Sequence, residues 1–293
     1  MSREFEIFDR RAVRAHRDRA AARLGGHDFL FRAAAEGLAV RLADVRRNFA
    51  AVLDLGCHDG FLADTLEPEH GAGLLVQCDL SEAMAGRAPG LRAAADEELL
   101  PFRPASFDLV VSCLTLHWVN DLPGSLVQAR QALKPDGLFL AVMLGGGTLR
   151  ELRSALLAAD TELSGGAGPR ISPFADVRDA GDLLGRAGFA LPVADTSTLT
   201  VSYADPTRLL RDLRGMGEAN AVAARRRSFT RRGVFLRAAE LYREMYGDAA
   251  GRVPATFEMI TLTAWAPAES QPKPLARGSG EVSLSDILGP EDG

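Results

Sequence analysis

Between residues 51 and 144, short apolar runs alternate with stretches whose apolar positions recur at helical spacing. Ala51–Leu55, Leu74–Asp79, Leu91–Ala95, Phe107–Cys113 and Leu138–Leu144 have the length of strands, and Phe107–Cys113 is apolar on both faces, as a central parallel strand should be. Asp121–Leu133 reads as an amphipathic helix and stops at Lys134-Pro135-Asp136-Gly137, where proline and glycine suit a turn. This alternation predicts an α/β fold, a doubly wound parallel sheet with right-handed crossovers. Upstream, Phe29–Val45 sets Leu30, Ala34, Leu38, Leu42 and Val45 on one face, which predicts a helix packed on that sheet.

Past Gly145 the pattern loosens. Helices are expected over Thr148–Leu163 and Asp176–Arg186, the second closed by Gly188, with Ser164–Pro169 between them as a flexible loop over the site. Leu199–Tyr203 and Thr256–Trp265 read as strands, and two helices around Asp205–Gly215 and Ser228–Tyr246 form an insertion between them. The expected organisation is an N-terminal helical segment or lid over 1–48, a main domain over 49–266 with a helical cap inserted at about 205–250, and a tail over 267–293 whose Pro, Gly, Ser and charge favour disorder or a surface course.

The chemistry concentrates where the first strand breaks. Asp54 and Leu55 lead into Gly56-Cys57-His58-Asp59-Gly60, and a helical segment begins directly afterwards. A strand, a glycine turn and a helix N-terminus make a nucleotide site, since Gly56 takes a tight turn and Gly60 lets free N–H groups face a ligand. Asp79 ends the second strand, placed to accept both ribose hydroxyls. Asp96 ends the third, either as a hydrogen-bond acceptor for an adenine amino group or as a helix N-cap. His117, Trp118 and Asn120 follow the fourth strand at the carboxyl edge where such folds keep their chemistry. His117 is the best placed general base there. Trp118 reads as a pocket wall sooner than a stacking platform, and Gly215–Asn220 either contacts a substrate or joins two helices. His58 and His117, with Asp54 or Asp59, form a minor alternative of two histidines and a carboxylate around iron; the H-x-D spacing of such sites is absent, and no metal site is assigned.

Hydrophobic residues make up 47% of the 293 and charged ones 25%, enough for a core without staples. Cys57, Cys78 and Cys113 lack C-x-x-C spacing and suit a reducing compartment, so neither a zinc site nor a disulfide framework is expected. A net charge of −5 argues against nucleic-acid binding. Arg3, Arg10, Arg11, Arg14, Arg17, Arg19 and Arg23 give residues 3–24 the composition of a basic helix, read first as a solvated face and second as a docking surface for an acidic partner or anionic lipid. No apolar leader follows Met1 and no run approaches the ~18 residues of a spanning helix, so the expected location is the cytoplasm, with at most peripheral contact at the inner face of the membrane.

From about Phe49 to Trp265 the chain resembles class I S-adenosylmethionine-dependent methyltransferases, through Leu53–Gly60, Asp79, Asp96 and the Lys134–Gly137 turn. That resemblance implies a Rossmann-like seven-stranded sheet whose last hairpin is antiparallel. A narrower resemblance is to the family of complex I assembly factors that hydroxylate an arginine of a quinone-site subunit. It is carried by Ile7-Phe8-Asp9-Arg10, Leu116–Leu122, Ile171-Ser172-Pro173-Phe174, Leu183–Phe189, Gly215–Asn220, Tyr242–Tyr246 and Arg277-Gly278-Ser279. It implies S-adenosylmethionine as cofactor and, as protein substrate, the matching subunit of the NADH–quinone oxidoreductase. The implied cofactor contacts are Arg10, Asp54, Gly56, Cys57, Gly60, Asp79, Leu80, Asp96, Glu97 and Cys113, with Phe8-Asp9-Arg10 closing as a lid and Arg10 forking onto the cofactor carboxylate. The chain departs from the family at His58, where glycine is common. It is also similar to the methyltransferases that cap a malonyl-carrier thioester, for which the basic N-terminal helix would meet an acidic carrier; a third possibility is a non-catalytic assembly chaperone.

Overall fold

A computed structural model describes residues 6–63, 65–66, 73–166 and 168–272. A seven-stranded sheet runs through the chain in the order β3-β2-β1-β4-β5-β7-β6. β1 (Ala51–Leu55), β2 (Leu74–Asp79), β3 (Leu91–Ala94), β4 (Phe107–Cys113) and β5 (Leu133–Leu144) are parallel, and β7 (Val253–Trp265) lies antiparallel between β5 and β6 (Ala190–Tyr203). All five parallel strands therefore deliver their carboxyl ends to one edge.

Alternation along the central strands divides the core. Val52, Leu109, Val111, Leu140 and Val142 face one side, where they meet Leu30, Phe31, Leu38 and Leu42 of helix α2 (Phe29–Ala43). Leu53, Leu55, Val110, Phe139 and Met143 face the other, against Leu126 and Ala129 of helix α4 (Leu122–Ala132) and Leu184 of helix α6 (Val177–Arg186). Helix α3 (Glu82–Ala85) is one short turn after β2, capped by Ser81. Helix α5 (Arg150–Ser164) and the two helices between β6 and β7, α7 (Pro206–Met216) and α8 (Arg232–Tyr246), close the first side. Asp121, Asp176 and Asp205 cap α4, α6 and α7, each accepting a backbone N–H from the first turn.

Several boundaries differ from the sequence reading, β5, β6 and α1 most. β5 begins at Leu133, ahead of the Lys134–Gly137 turn, and its register with β4 jumps there from Phe107↔Leu133 to Leu109↔Leu138, with Asp136 at φ 63°. β6 begins at Ala190, well before Leu199; it is an edge strand, and its exposed Thr and Ser positions carry no apolar signal. The N-terminal helix α1 spans Arg10–Ala20, capped by Asp9, and is shorter than residues 3–24. Residues 273–293 of the expected tail lie outside the described residues.

Candidate active site

The carboxyl edge gathers acids, as strand ends in register require. Asp79 closes β2, and Asp96, Glu97 and Glu98 follow β3. Asp79 and Glu97 are fully buried. Left alone in a low-dielectric edge, two carboxylates are untenable, and α1 supplies their counter-charge. Arg17, itself fully buried, donates Nη1 to both Asp79 oxygens (3.3 and 3.2 Å) and to Glu97 Oε1 (3.0 Å), while Nη2 donates to Thr115 Oγ1 (2.5 Å). Arg10 donates Nη2 to Asp96 Oδ1 (2.6 Å) and to Glu97, and Nη1 to the Trp118 carbonyl (3.2 Å). Burial drives the Glu97 carboxyl upward, but Arg10 and Arg17 outweigh it and hold it down at about 2. Breaking such a cluster by removing one partner costs about 3–5 kcal/mol.

This revises the basic helix. Arg10, Val13, Arg17 and Ala20 recur at helical spacing and turn one face inward, whereas Arg11, Arg14, Arg19 and Arg23 remain exposed. Arg10 reaches Asp96 and Glu97. Asp96 caps no helix; it accepts the Glu98 N–H at 3.0 Å. Leu80 is half-buried beside Phe8, Val13 and Trp118.

The turn after β1 is as tight as its glycines suggest. Gly56 adopts φ 78° and its N–H, like that of Cys57, donates to the Cys78 carbonyl (2.8 and 2.9 Å); a Cβ at Gly56 would overlap Thr115. Gly60 sits at φ 86°, where a Cβ would lie 2.8 Å from the Ala88 backbone. His58 is fully buried at φ 51°. Its backbone N–H donates to Asp79 Oδ2 (3.1 Å), its ring lies 4.4 Å from that of Phe31, and Nε2 meets the Cys113 carbonyl at 3.2 Å. A carbonyl only accepts, so Nε2 carries the proton, and burial together with Arg17 keeps the imidazole neutral. Cys57, Cys78 and Cys113 are free and buried, their thiols raised by burial. Asp54 is buried with neither carboxylate oxygen bonded.

Beside this edge, under α5, α7 and α8, lies a cavity of about 490 Å³ with Leu144, Leu149, Leu152, Phe174 and Phe257 in its wall. Trp118 and Glu218 line it too. Glu218 follows Gly217, which ends α7 in the left-handed conformation, and the Glu218 N–H returns to the Leu213 carbonyl at 2.8 Å. Glu218 Oε2 accepts from Trp118 Nε1 (2.8 Å) and meets His117 Nε2 at 3.0 Å. The Leu144 N–H approaches His117 Nδ1 at 3.4 Å, so both nitrogens of this buried imidazole are occupied. Burial raises the Glu218 carboxyl; His117 and Arg17 overcome this and hold it below the usual carboxylate range. His58 and His117 face different partners, and among the described residues no three His, Cys, Asp or Glu side chains converge as metal ligands.

The structure thus brings Asp54, Asp79, Asp96, Glu97, Gly56, Gly60 and Cys113 to one edge. Sequence reasoning named Arg17 only within a basic surface and Glu218 only within the Gly215–Asn220 segment, and it missed Thr115. The inward spacing of Arg10 and Arg17 was a readable signal for the first; the other two become visible only once distant segments meet.

Residues 53–141 match the methyltransferase domain family. The chain is 44% identical over 292 residues to the human mitochondrial arginine-hydroxylase NDUFAF5, covering 97% of this chain and 84% of that one. It is 33% identical over 304 residues to the malonyl-[acyl-carrier protein] O-methyltransferase of Methylovorus sp. strain MP688, covering 99% and 96%. Its fold is that of phosphoethanolamine N-methyltransferase 2 of Haemonchus contortus, solved with S-adenosyl-L-methionine (TM-score 0.55, 17% identity, 87% and 60% covered).

Burial, with the Asp79 charge second, pushes the Asp54 carboxyl up to about 8. The folded chain then keeps a proton that the unfolded chain releases near pH ~3.9, so this group's stabilisation is complete below that pH and is lost as pH rises to about 8. Asp54→Asn removes the loss. Its melting temperature should gain on the parent's progressively from about pH 4 to about 8 and level off above. A gap that stays constant across that range would place an ionised carboxylate there.

Proposed function

Since the chain belongs to the class I S-adenosylmethionine-dependent methyltransferase family, alongside the arginine-hydroxylase and malonyl-carrier relatives, we propose that it is an S-adenosylmethionine-binding enzyme that hydroxylates an arginine of a protein. The substrate in this reading is the quinone-site subunit of the NADH–quinone oxidoreductase, modified during assembly. The observation that carries the reading is the acid edge over a positive-φ turn, in a chain whose likeness to the arginine hydroxylase extends through both flanks of the methyltransferase domain. Malonyl-carrier methylation is the weaker reading, at lower identity.

The residues present suit the cofactor chemically. Asp79 would accept ribose hydroxyls, Asp96 and Glu97 would flank the base, the 56–60 turn would carry the methionine part, and the unbonded oxygens of Asp54 would meet its ammonium, whose charge would draw off the proton that Asp54 keeps in the empty site. Bound there, S-adenosylmethionine supplies a sulfonium with an activated methyl group at the sheet edge. Arg17 and the His58 backbone N–H bond Asp79 in this conformation, so binding in this reading requires α1 to release that carboxylate and the buried imidazole beside the turn to move aside. His117 acts in this reading by positioning Glu218.

Membrane contact is assigned to another surface than α1. Phe229 is fully exposed between exposed Arg226, Arg227, Arg231 and Arg232, an aromatic anchor among cations that suits an anionic headgroup layer. Among the described residues no helix is long and apolar enough to cross a membrane.

Arg17→Met, which frees Asp79, should lower the stability of the cofactor-free protein by about 3 kcal/mol and tighten S-adenosylmethionine binding about tenfold by calorimetry, and His58→Gly should tighten it as well. Equal or weaker binding in both variants would remove the displacement step. In cells lacking the protein, intact mass of the quinone-site subunit should fall by one oxygen atom; a missing methyl group or an unchanged mass would defeat the hydroxylase reading. Phosphatidylglycerol vesicles should retain the full chain and release Phe229→Glu, with phosphatidylcholine retaining neither. Retention of both proteins alike would separate this loop from the membrane.

A further inference from the structure

We infer that the cavity under the helical cap is a seat for a guanidinium side chain and that Glu218 is the residue that binds its head. The inference deepens the arginine-hydroxylase reading and rests on it for the identity of the guest.

The argument starts from an unbalanced group. Glu218 has a side chain only 4% exposed and a carboxyl held in its ionised form. An ionised carboxylate accepts on both oxygens and donates from neither. Oε2 is saturated by the Trp118 indole and the His117 imidazole, but Oε1 has no hydrogen-bond partner. Burying such an oxygen unbonded is unfavourable, and its natural complement is a donor that arrives with positive charge. The two bonds on Oε2 fix the plane of the carboxylate, and Oε1, out of contact with solvent, is reached from the cavity by a small shift of the wall beside it.

The surroundings choose among cations. The leucine and phenylalanine wall suits an apolar stem, which a bare metal ion or ammonium lacks. Trp118 and Phe174 line the same cavity, and aromatic walls suit a planar guanidinium better than a compact ammonium. An anionic guest would be repelled by Glu218. Three arginines also line the cavity, but Arg170 is tied to Asp160 at 2.7 Å, and Arg211 and Arg214 are exposed in solvent at the mouth. There they would disfavour a second cation beside the first and favour acidic neighbours along the substrate chain. The seat adjoins the proposed cofactor edge through Thr115–Trp118, since Thr115 bonds Arg17 and Glu97 while His117 and Trp118 bond Glu218.

The test uses the full chain with ¹⁵N-labelled tryptophan. Trp118 and Trp265 give two indole N–H signals, and Trp118 Nε1–H is the group bonded to Glu218. Titration with N-acetyl-arginine methylamide should shift the Trp118 signal and leave Trp265 unmoved, whereas the neutral citrulline analogue and N-acetyl-glutamate methylamide should leave both unmoved at equal concentration. Glu218→Gln, which keeps an acceptor for Trp118, should weaken arginine binding about tenfold or more with S-adenosylmethionine affinity unchanged. Leu156→Trp, which narrows the cavity while sparing Glu218, should also lose the arginine response, and this arm stands if the glutamine variant fails to fold. Equal responses to arginine and citrulline, a preference for the glutamate compound, or full arginine affinity in the variants would overturn the seat. Retained subunit hydroxylation in cells carrying a folded Glu218→Gln would overturn the seat and leave the hydroxylase reading standing. Selective arginine binding with no hydroxylated subunit in any strain would overturn that reading and leave the seat.

Discussion

The structure depends on how its acid edge is neutralised. Parallel strands end together, so Asp79 and the carboxylates after β3 are forced into one region, and two of them are fully buried. Like charges in that setting need a donor of positive charge or of several hydrogen bonds. Arg17 and Arg10 meet the need from α1, and the family's nucleoside cofactor would meet much of it from solution. In the proposed reading the two would compete for the same oxygens of Asp79, and the position of α1 and occupancy of the edge would be linked reciprocally: whatever holds α1 down would weaken the ligand by the same factor that the ligand loosens α1.

One short segment joins the parts. After β4 the chain runs from Thr115 to Asn120 across the carboxyl edge. Thr115 bonds Arg17 and Glu97, His117 and Trp118 hold Glu218, and Asn120 pairs with the backbone of Phe8 just ahead of α1 (2.8 and 3.1 Å). Phe8 also stands edge-on to Trp118 at 5.4 Å. Release of α1 would thus disturb the residues that hold Glu218. The acid edge and the apolar cavity share this segment as a common wall.

Much of this was legible in the residues. Continuous apolar runs along β1, β4 and β5, the aspartates at helix starts, and the glycines of the 56–60 turn are local signals, each set by backbone sterics or by burial of a single strand. They determined the sheet, most of its strands and the edge where the acids gather. The early start of β6 was not legible, because an edge strand with one face in solvent needs no apolar pattern. Tertiary structure alone decided the partners. Arg17 and Asp79 are 62 residues apart and Trp118 and Glu218 are 100 apart, and a charged residue's local sequence carries no mark of the charge it will meet. Composition left α1 as a basic surface, and only packing turned two of its arginines inward, because a buried acid edge cannot stand without them.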